Sequence, residues 1–433
     1  MSSKLISLTG IHVFICQLIC LCLPLFSFSQ KSGNRIEIIE SIDSVIHAAI
    51  KEYAFPGAVL LIATSDSILY KKGYGYHTYD SIRAVQANHL YDLASVTKVT
   101  AATLALMTLY EDSLLFLDDP IKKYISGFLL NKRGKATIRQ TLAHQAGWRS
   151  WIPYYQEMLK KDGTYKPRFL SVSESEKYSI RIHDNLYLTN KNYQYIKKQI
   201  RRSDFDLSRG YSYSGLFFYM VPELVERSVN LSFTDFLQDR VYDPLGADSL
   251  TFNPRSKYPD SLIVPTELDT FFRKVQIHGF VHDEGAILMN GISGNAGLFG
   301  TASSVANVWR PLMSDRSVDS MGVFSPQTVD VFTSVQFPNQ GNRRGLGFDK
   351  PLLVYDSIKS SVSKFASSQS FGHSGYTGPL VWADPKNDLL FVFLTNRVYP
   401  SRSQRGIYDL NVRPKLHDLS YRLRAVYQNP YLE

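Results

Sequence analysis

The chain has 433 residues, 44% of them hydrophobic and 20% charged, and carries a formal net charge of +9. That balance excludes a disordered or fibrous chain and leaves room for one sizeable core. Its three cysteines, Cys16, Cys20 and Cys22, all fall within the first 29 residues, so the remainder can hold neither a disulfide nor a thiolate metal site.

The N-terminus joins Met1-Ser-Ser-Lys4 to an apolar run from Leu18 to Phe28 and ends Ser27-Phe28-Ser29. This reads as a secretory signal peptide, residues 1–29, cleaved after Ser29, with an uncleaved membrane anchor as the alternative. Cys20 and Cys22 each follow a large apolar residue, which argues against lipoprotein acylation. Cleavage removes Lys4 and takes the formal charge from +9 to +8. No later run approaches the roughly 20 apolar residues that span a bilayer. The expected product is soluble and periplasmic or secreted, where nucleic acid is not a partner. An attraction to anionic cell-envelope polymers remains open.

Ile38, Ile42, Val45, Ile46 and Ala49 recur at helical spacing. Pro56-Gly57, an apolar run from Ala58 to Ala63, the turn Asp66-Ser67 and Ile68-Leu-Tyr70 then predict a β-hairpin. Gly73-Tyr-Gly75 is a lone glycine pair and does not make a phosphate loop. Ser95-Val-Thr-Lys98 opens a stretch, Val99 to Tyr110, that is apolar nearly all round and so predicts a buried helix. Asp92 is a candidate N-cap for it. Residues three apart on a helix share a face, so the Lys98 amine can reach the Ser95 hydroxyl. An unassisted serine is a weak nucleophile, and a neighbouring base activates it. In the first turn, free N–H groups and the helix dipole favour developing negative charge.

Asp119-Pro120 predicts a helix start, and Thr137-Ile-Arg-Gln140 predicts a capping box whose helix ends at Gly147. His144, near that end, is either a catalytic candidate or a partner for the helix dipole. Residues 160–206 are polar and tyrosine-rich, and read either as a lid over a cleft or as a surface insertion. Within them, Lys197-Lys198-Gln-Ile-Arg201-Arg202 predicts a solvated helical face. His282-Asp283-Glu284 is the tightest group of possible metal ligands. Three consecutive helical residues do not share a face, so a helix-start role for Asp283 and Glu284 fits better. No metal and no cofactor are expected. Ser361-Val-Ser-Lys364 repeats the Ser-x-x-Lys spacing, but in a polar, serine-rich stretch that reads as a loop. A second hairpin spans Pro379 to Leu394 around Asp384-Pro-Lys-Asn-Asp388, and a closing helix carries Leu416, Leu419, Leu423 and Val426.

Strand signals thus sit at both chain ends, with a mainly helical middle at about 110–300. The expectation is an α/β (α+β) fold. One antiparallel sheet built from both termini and flanked by helices carries a mainly helical second lobe, all in one domain over 30–433.

Ser95-Val-Thr-Lys98, Tyr213-Ser-Gly215 and His373-Ser-Gly375 together resemble the three motifs of the penicillin-recognising serine hydrolases. This group holds class C β-lactamases, D,D-carboxypeptidases, D-aminopeptidases and related esterases. The likeness extends through Phe55-Pro-Gly57, Leu142-Ala-His-Gln-Ala-Gly147, Val281-His-Asp-Glu284, Gly294-Asn-Ala-Gly-Leu-Phe299 and Leu394-Thr-Asn-Arg397. It is nearest to penicillin-binding protein 4B-like D-alanyl-D-alanine carboxypeptidases and to β-lactamase-like domains fused to family 3 glycosidases. Tyr211-Ser-Tyr213 competes for the second motif. The family places a glutamate thirteen residues after the tyrosine, and Glu226 has that relation to Tyr213.

By this resemblance Ser95 forms an acyl-enzyme, Lys98 and Tyr213 move its proton, and the N–H groups of Ser95 and Tyr376 hold the oxyanion. The third motif, His373, Ser374 and Gly375, and Gly215 of the second border the substrate. Which of Lys98 and Tyr213 is the base stays open. Three positions depart from the β-lactamase pattern. Gly215 replaces an asparagine, and Asn295 stands where close relatives carry histidine. His373 replaces a lysine, so a permanent charge becomes one expected to titrate near neutrality. Arg397 is a candidate carboxylate anchor or a surface ion-pair partner. The resemblance implies a bacterial exported hydrolase acting on a small peptide or ester substrate, such as a peptidoglycan-derived muropeptide. A general esterase, a weak β-lactamase and a silent cell-wall-fragment binder are the alternatives.

Overall fold

A computed structural model describes residues 35–313 and 323–428. The segment read as a signal peptide lies outside the described residues. Helix α1 (Arg35–Lys51) leads into β1 (Gly57–Ala63) and β2 (Ile68–Gly75). After the short strand β3 (Tyr91–Asp92) comes the Ser95 segment, which runs into α2 (Thr103–Glu111). The middle of the chain is less helical than its pattern predicts. Besides α3 (Ile138–Leu142), α4 (Asn192–Arg202), α5 (Val221–Val229) and α6 (Phe233–Leu237), it holds a sheet of β4 (Leu170–Ser171), β5 (Ile180–His183) and β6 (Leu186–Leu188). Strands β7 (Thr251–Phe252), β8 (Glu267–Leu268) and β9 (Gln276–Ile277), helix α7 (Glu284–Ile287) and strand β10 (Leu298–Gly300) follow. These strands are two to four residues long, too short for an alternating pattern to stand out. Helices α8 (Ala302–Trp309) and α9 (Pro326–Thr333) precede β11 (Phe371–Ser374), β12 (Leu380–Asp384) and β13 (Leu389–Thr395). The short α10 (Gly406–Asp409) and the long α11 (Val412–Gln428) close the chain.

The expected sheet from both termini is present. Its order is β11-β12-β13-β1-β2, and Leu60 of β1 faces Phe393 of β13 in an antiparallel register. Successive strand residues point to opposite faces, and here both faces are covered. Ala58, Leu60, Ile62, Phe391 and Phe393 join one buried cluster with α1 and α11. Val59, Leu61, Val392 and Leu394 join the other, which contains α2, α8 and the middle of the chain. Fully burying one such leucine or phenylalanine contributes about 1.5–3 kcal/mol. Double coverage explains why β1 and β13 read as continuous apolar runs rather than alternating ones.

Several local expectations change in three dimensions. The capping box at Thr137 and Gln140 forms, but its helix ends at Leu142 because His144 turns left-handed with φ 56°. Gly147, left-handed at φ 69°, lies beyond that end in irregular chain. Asp119 does not cap a helix; its carboxylate accepts from Lys123 and from Tyr124. The basic run on α4 is solvated at Lys198, Arg201 and Arg202, as expected, but not at Lys197, whose side chain is buried with Nζ 2.7 Å from Glu223 Oε2 and 2.6 Å from Ser126 Oγ. Ser361 and Lys364 lie in irregular chain, as their composition predicts.

Candidate active site

Strand β3 pairs with β10, and the chain then turns sharply into the Ser95 segment. Ala94 adopts φ 46°, which an alanine takes only when its surroundings over-determine it. Asp92 supplies that constraint. Rather than capping a helix, its buried carboxylate accepts the Ala94 N–H at 2.8 Å on one oxygen and the His282 N–H at 2.7 Å on the other. Burial pushes this carboxyl above its usual range. The turn Ala94–Val96 continues into a wide turn, Lys98–Ala102, in which the Thr103 N–H donates to Lys98 O, five residues back. Such wide turns occur mostly at functional sites.

Three side chains meet at the start of this segment. Lys98 Nζ lies 3.0 Å from Ser95 Oγ, as the spacing predicts, and is held from behind by the Asn295 carbonyl at 2.9 Å. The Tyr213 hydroxyl approaches the same Oγ at 3.2 Å. Tyr211 does not: its hydroxyl accepts from Arg344 Nε at 3.2 Å. Glu226 stays away from the cleft, with one carboxylate oxygen accepting the Phe233 N–H at 3.3 Å.

A layer of buried groups backs Tyr213. The His144 ring packs on the Tyr213 ring at 4.5 Å between centres, and its Nδ1 accepts the Ser214 N–H at 3.2 Å. Arg344 places its guanidinium 5.2 Å from the Tyr213 ring centre and 3.3 Å from Asp349. Burial, then the nearby Arg344 and Lys98 charges, hold His144 neutral, well below its ordinary range.

His373 stands on β11 with its ring 6.0 Å from that of Tyr213. Here the expectation fails. Burial first, then Arg344 and Lys98, lower its pKa to about 3, so it does not titrate near neutrality. Ser374 ends β11 half-buried, and Gly375 presses against the Ser95 turn. A Cβ on Gly375 would lie 2.7 Å from Leu93 O and 3.2 Å from Ala94 Cβ. Thr377 Oγ1 ties the same turn to Asp92 O at 2.8 Å. Tyr376 is half-exposed, with its carbonyl accepting from Arg397 Nε at 2.8 Å. Arg397 is buried and also donates to the carbonyls of Arg402 and Gln404, so it clamps loops instead of facing a substrate or an ion-pair partner.

Ser95, Lys98, Tyr213, Gly215 and Tyr376 line one cleft of about 390 Å³. His373 lies behind it. No residue of 160–206 is among its lining, which favours the surface insertion over the lid. The lining also includes Trp151, Tyr219, Asp283, Glu284 and Arg402, none of which belongs to a recognisable catalytic pattern. Asp283 has the expected helix-start role, accepting the Ala286 N–H at 2.7 Å. Glu284 opens the first turn of α7, as expected, and also pairs with Arg402 at 2.8 Å. A larger hollow of about 750 Å³, which includes Ser65, Lys350 and Asp388, shares no lining residue with this cleft.

The family model described as Beta-lactamase matches residues 42–412. A protein of Escherichia coli O157:H7 named "Putative D-alanyl-D-alanine carboxypeptidase" is 29% identical over 397 residues, covering 86% of this chain and 85% of its own. The "N-acetylmuramyl-L-alanine amidase" of Bacillus subtilis (strain 168) is 25% identical over 413 residues, 86% of this chain and 87% of its own. Among solved structures, the octameric penicillin-binding protein homologue from Pyrococcus abyssi superposes with a TM-score of 0.61 at 18% identity, over 83% of this chain and 73% of that one.

Proposed function

Because the chain belongs to the beta-lactamase family of serine hydrolases, we propose that it acts through a Ser95 acyl-enzyme on D-amino-acid peptides or esters, including D,D-carboxypeptidase-like cleavage of cell-wall muropeptides. The observation that carries this reading is the meeting of Lys98 Nζ and the Tyr213 hydroxyl on one serine oxygen, at 3.0 and 3.2 Å.

In this reading Ser95 Oγ adds to the substrate carbonyl carbon while its proton passes to Lys98 or Tyr213. The oxyanion is held by the N–H groups of Ser95 and Tyr376. The C–N or C–O bond then breaks, and the leaving amine or alcohol takes that proton. Water adds to the acyl-enzyme, returns a proton to Oγ and releases the carboxylic acid. Export by residues 1–29 belongs to the same proposal, and the N-terminal sequence of protein recovered outside the cytoplasm tests it.

A second reading, an esterase or an amidase on internal bonds, is favoured by His373. Neutral and behind the cleft, it offers no cation to a terminal carboxylate. The amidase named among the relatives supports the same direction. A silent binding module is opposed by the intact Ser95, Lys98 and Tyr213 set.

The deciding measurement is the intact mass of the protein after incubation with a penicillin and, separately, with a fluorophosphonate, with Ser95→Ala alongside. A stoichiometric adduct lost in Ser95→Ala supports the acyl-enzyme. A penicillin adduct favours the carboxypeptidase reading, a fluorophosphonate adduct alone the esterase or amidase. No adduct with either reagent overturns both.

A further inference from the structure

The charges that line the cleft are unevenly satisfied. Arg402 is held by Glu267 at 2.6 Å and by Glu284 at 2.8 Å. Glu267 is also engaged by His282 Nε2 at 2.8 Å. Arg273, behind this wall, faces Asp269 and donates to the carbonyls of Val281 and His282 at 2.7 and 2.8 Å. Lys98 is occupied by Ser95 and by Asn295 O. Asp283 differs. One of its oxygens accepts from Ala286 N–H at 2.7 Å and from the Tyr219 hydroxyl at 3.1 Å, and among the described residues no cation lies within ion-pair distance.

A half-buried carboxylate without a counter-charge attracts a cation from the ligand. The rest of the cleft lining points to the same chemistry. Trp151 lines the cleft while 45% exposed, and Tyr219, whose hydroxyl donates to Asp283, also contributes to its wall; the Tyr376 ring already carries the Arg397 guanidinium 4.5 Å from its centre. An exposed aromatic ring in the same cleft as a carboxylate suits an ammonium group, which gains from both. With Ser95 on the wall of the same small cleft, the ammonium must lie close to the bond being cleaved.

We propose that Asp283 is a specificity-determining residue that binds an ammonium group of the substrate, so that the cleft selects acyl groups of amino acids carrying a free amine. The proposal rests on the Ser95 acyl-enzyme reading. The amine is either the α-ammonium of an N-terminal residue or the side-chain ammonium of a diamino acid, and the substrates below separate the two.

The test compares three D-lysyl p-nitroanilides of one scaffold: free only at the α-amine, free only at the side-chain amine, and acetylated at both. Parent, Asp283→Asn and Asp283→Ser proteins are assayed for kcat/KM. Both replacements keep an N-cap acceptor for Ala286 while removing the charge, and the second serves if the first folds poorly. The expected result is a preference of about 10- to 100-fold in the parent for one free-amine substrate over the diacetylated one. That preference, the ratio of kcat/KM for the free-amine substrate to that for the diacetylated one, falls to within about threefold in the variants. Fluorophosphonate labelling of Ser95 runs in parallel. Labelling with no amine preference in the parent, with an unchanged preference in the variants, or with no turnover of any of the three substrates overturns the assignment of Asp283 alone. Loss of labelling in the parent overturns the acyl-enzyme reading beneath it.

Discussion

His373 Nδ1 donates to the carbonyl oxygen of Ser374, the next residue along β11, at 2.7 Å. A carbonyl only accepts, so the hydrogen sits on Nδ1, and the buried Nε2 is left without a partner among the described residues. The position where a β-lactamase carries a lysine therefore holds a neutral imidazole.

Stability should fall early in acid. His373, His77 and His417 are all held at about 3 by burial, against about 6.5 in an unfolded chain. A base with a lowered folded pKa binds its proton first in the unfolded state. Stability is therefore full above about pH 6.5 and declines as pH falls toward 3. At pH 5 His373 and His417, the two that are fully buried, each cost about 2 kcal/mol. Chemical denaturation from pH 7.5 to 4.5 should show this decline, and the pH profile of kcat/KM should lack a limb from His373 near neutrality.

Lys98 and Tyr213 share one oxygen, so their contributions should not add. Lys98→Met and Tyr213→Phe are each expected to slow acylation by about 10²- to 10⁴-fold. The double variant should be close to the worse single one. Single-turnover acylation rates measure this, and fully additive losses would mean independent roles.

Two glycines of the site should respond in opposite ways. A Cβ added at Gly215 would meet only Asn295 Cβ, at 3.9 Å, so Gly215→Asn should change stability by less than about 1 kcal/mol. Gly375→Ala would drive a Cβ into Leu93 O at 2.7 Å and should cost about 1–3 kcal/mol, with a matching loss of activity because the Ser95 turn must shift. Thermal unfolding of the two variants separates them.

Lys197 and Glu223 form a buried pair with side chains 6% and 13% exposed. Lys197→Met leaves the carboxylate without its cation and should destabilise by about 3–5 kcal/mol. Replacing both, as Lys197→Met with Glu223→Leu, should recover most of that loss. Urea denaturation of the single and double variants checks the cycle.

The sequence alone determined what depends on neighbours along the chain. Ser95 and Lys98 are three residues apart, so helical geometry brings them together whatever else happens. The capping box at Thr137, the apolar strands at the two ends and the loop around Ser361 are local in the same sense. Tyr213 was legible only through the family's motif and its spacing to Glu226, since Tyr211 fits the local pattern equally well; the 3.2 Å approach of the Tyr213 hydroxyl to Ser95 Oγ is what separates them in space.

Tertiary structure decided whatever rests on burial and on contacts between distant segments. The charge state of His373 depends on Arg344, Lys98 and the loss of solvent, none of which is adjacent to it in sequence. Lys197 looked like a surface lysine until Glu223 met it in the interior. Asp92 looked like a helix cap until His282 took its second oxygen. The cleft wall of Trp151, Asp283, Glu284 and Arg402 comes from segments up to about 250 residues apart. A chain's local propensities carry no record of such meetings, because desolvation and Coulomb attraction act through space and not along the backbone.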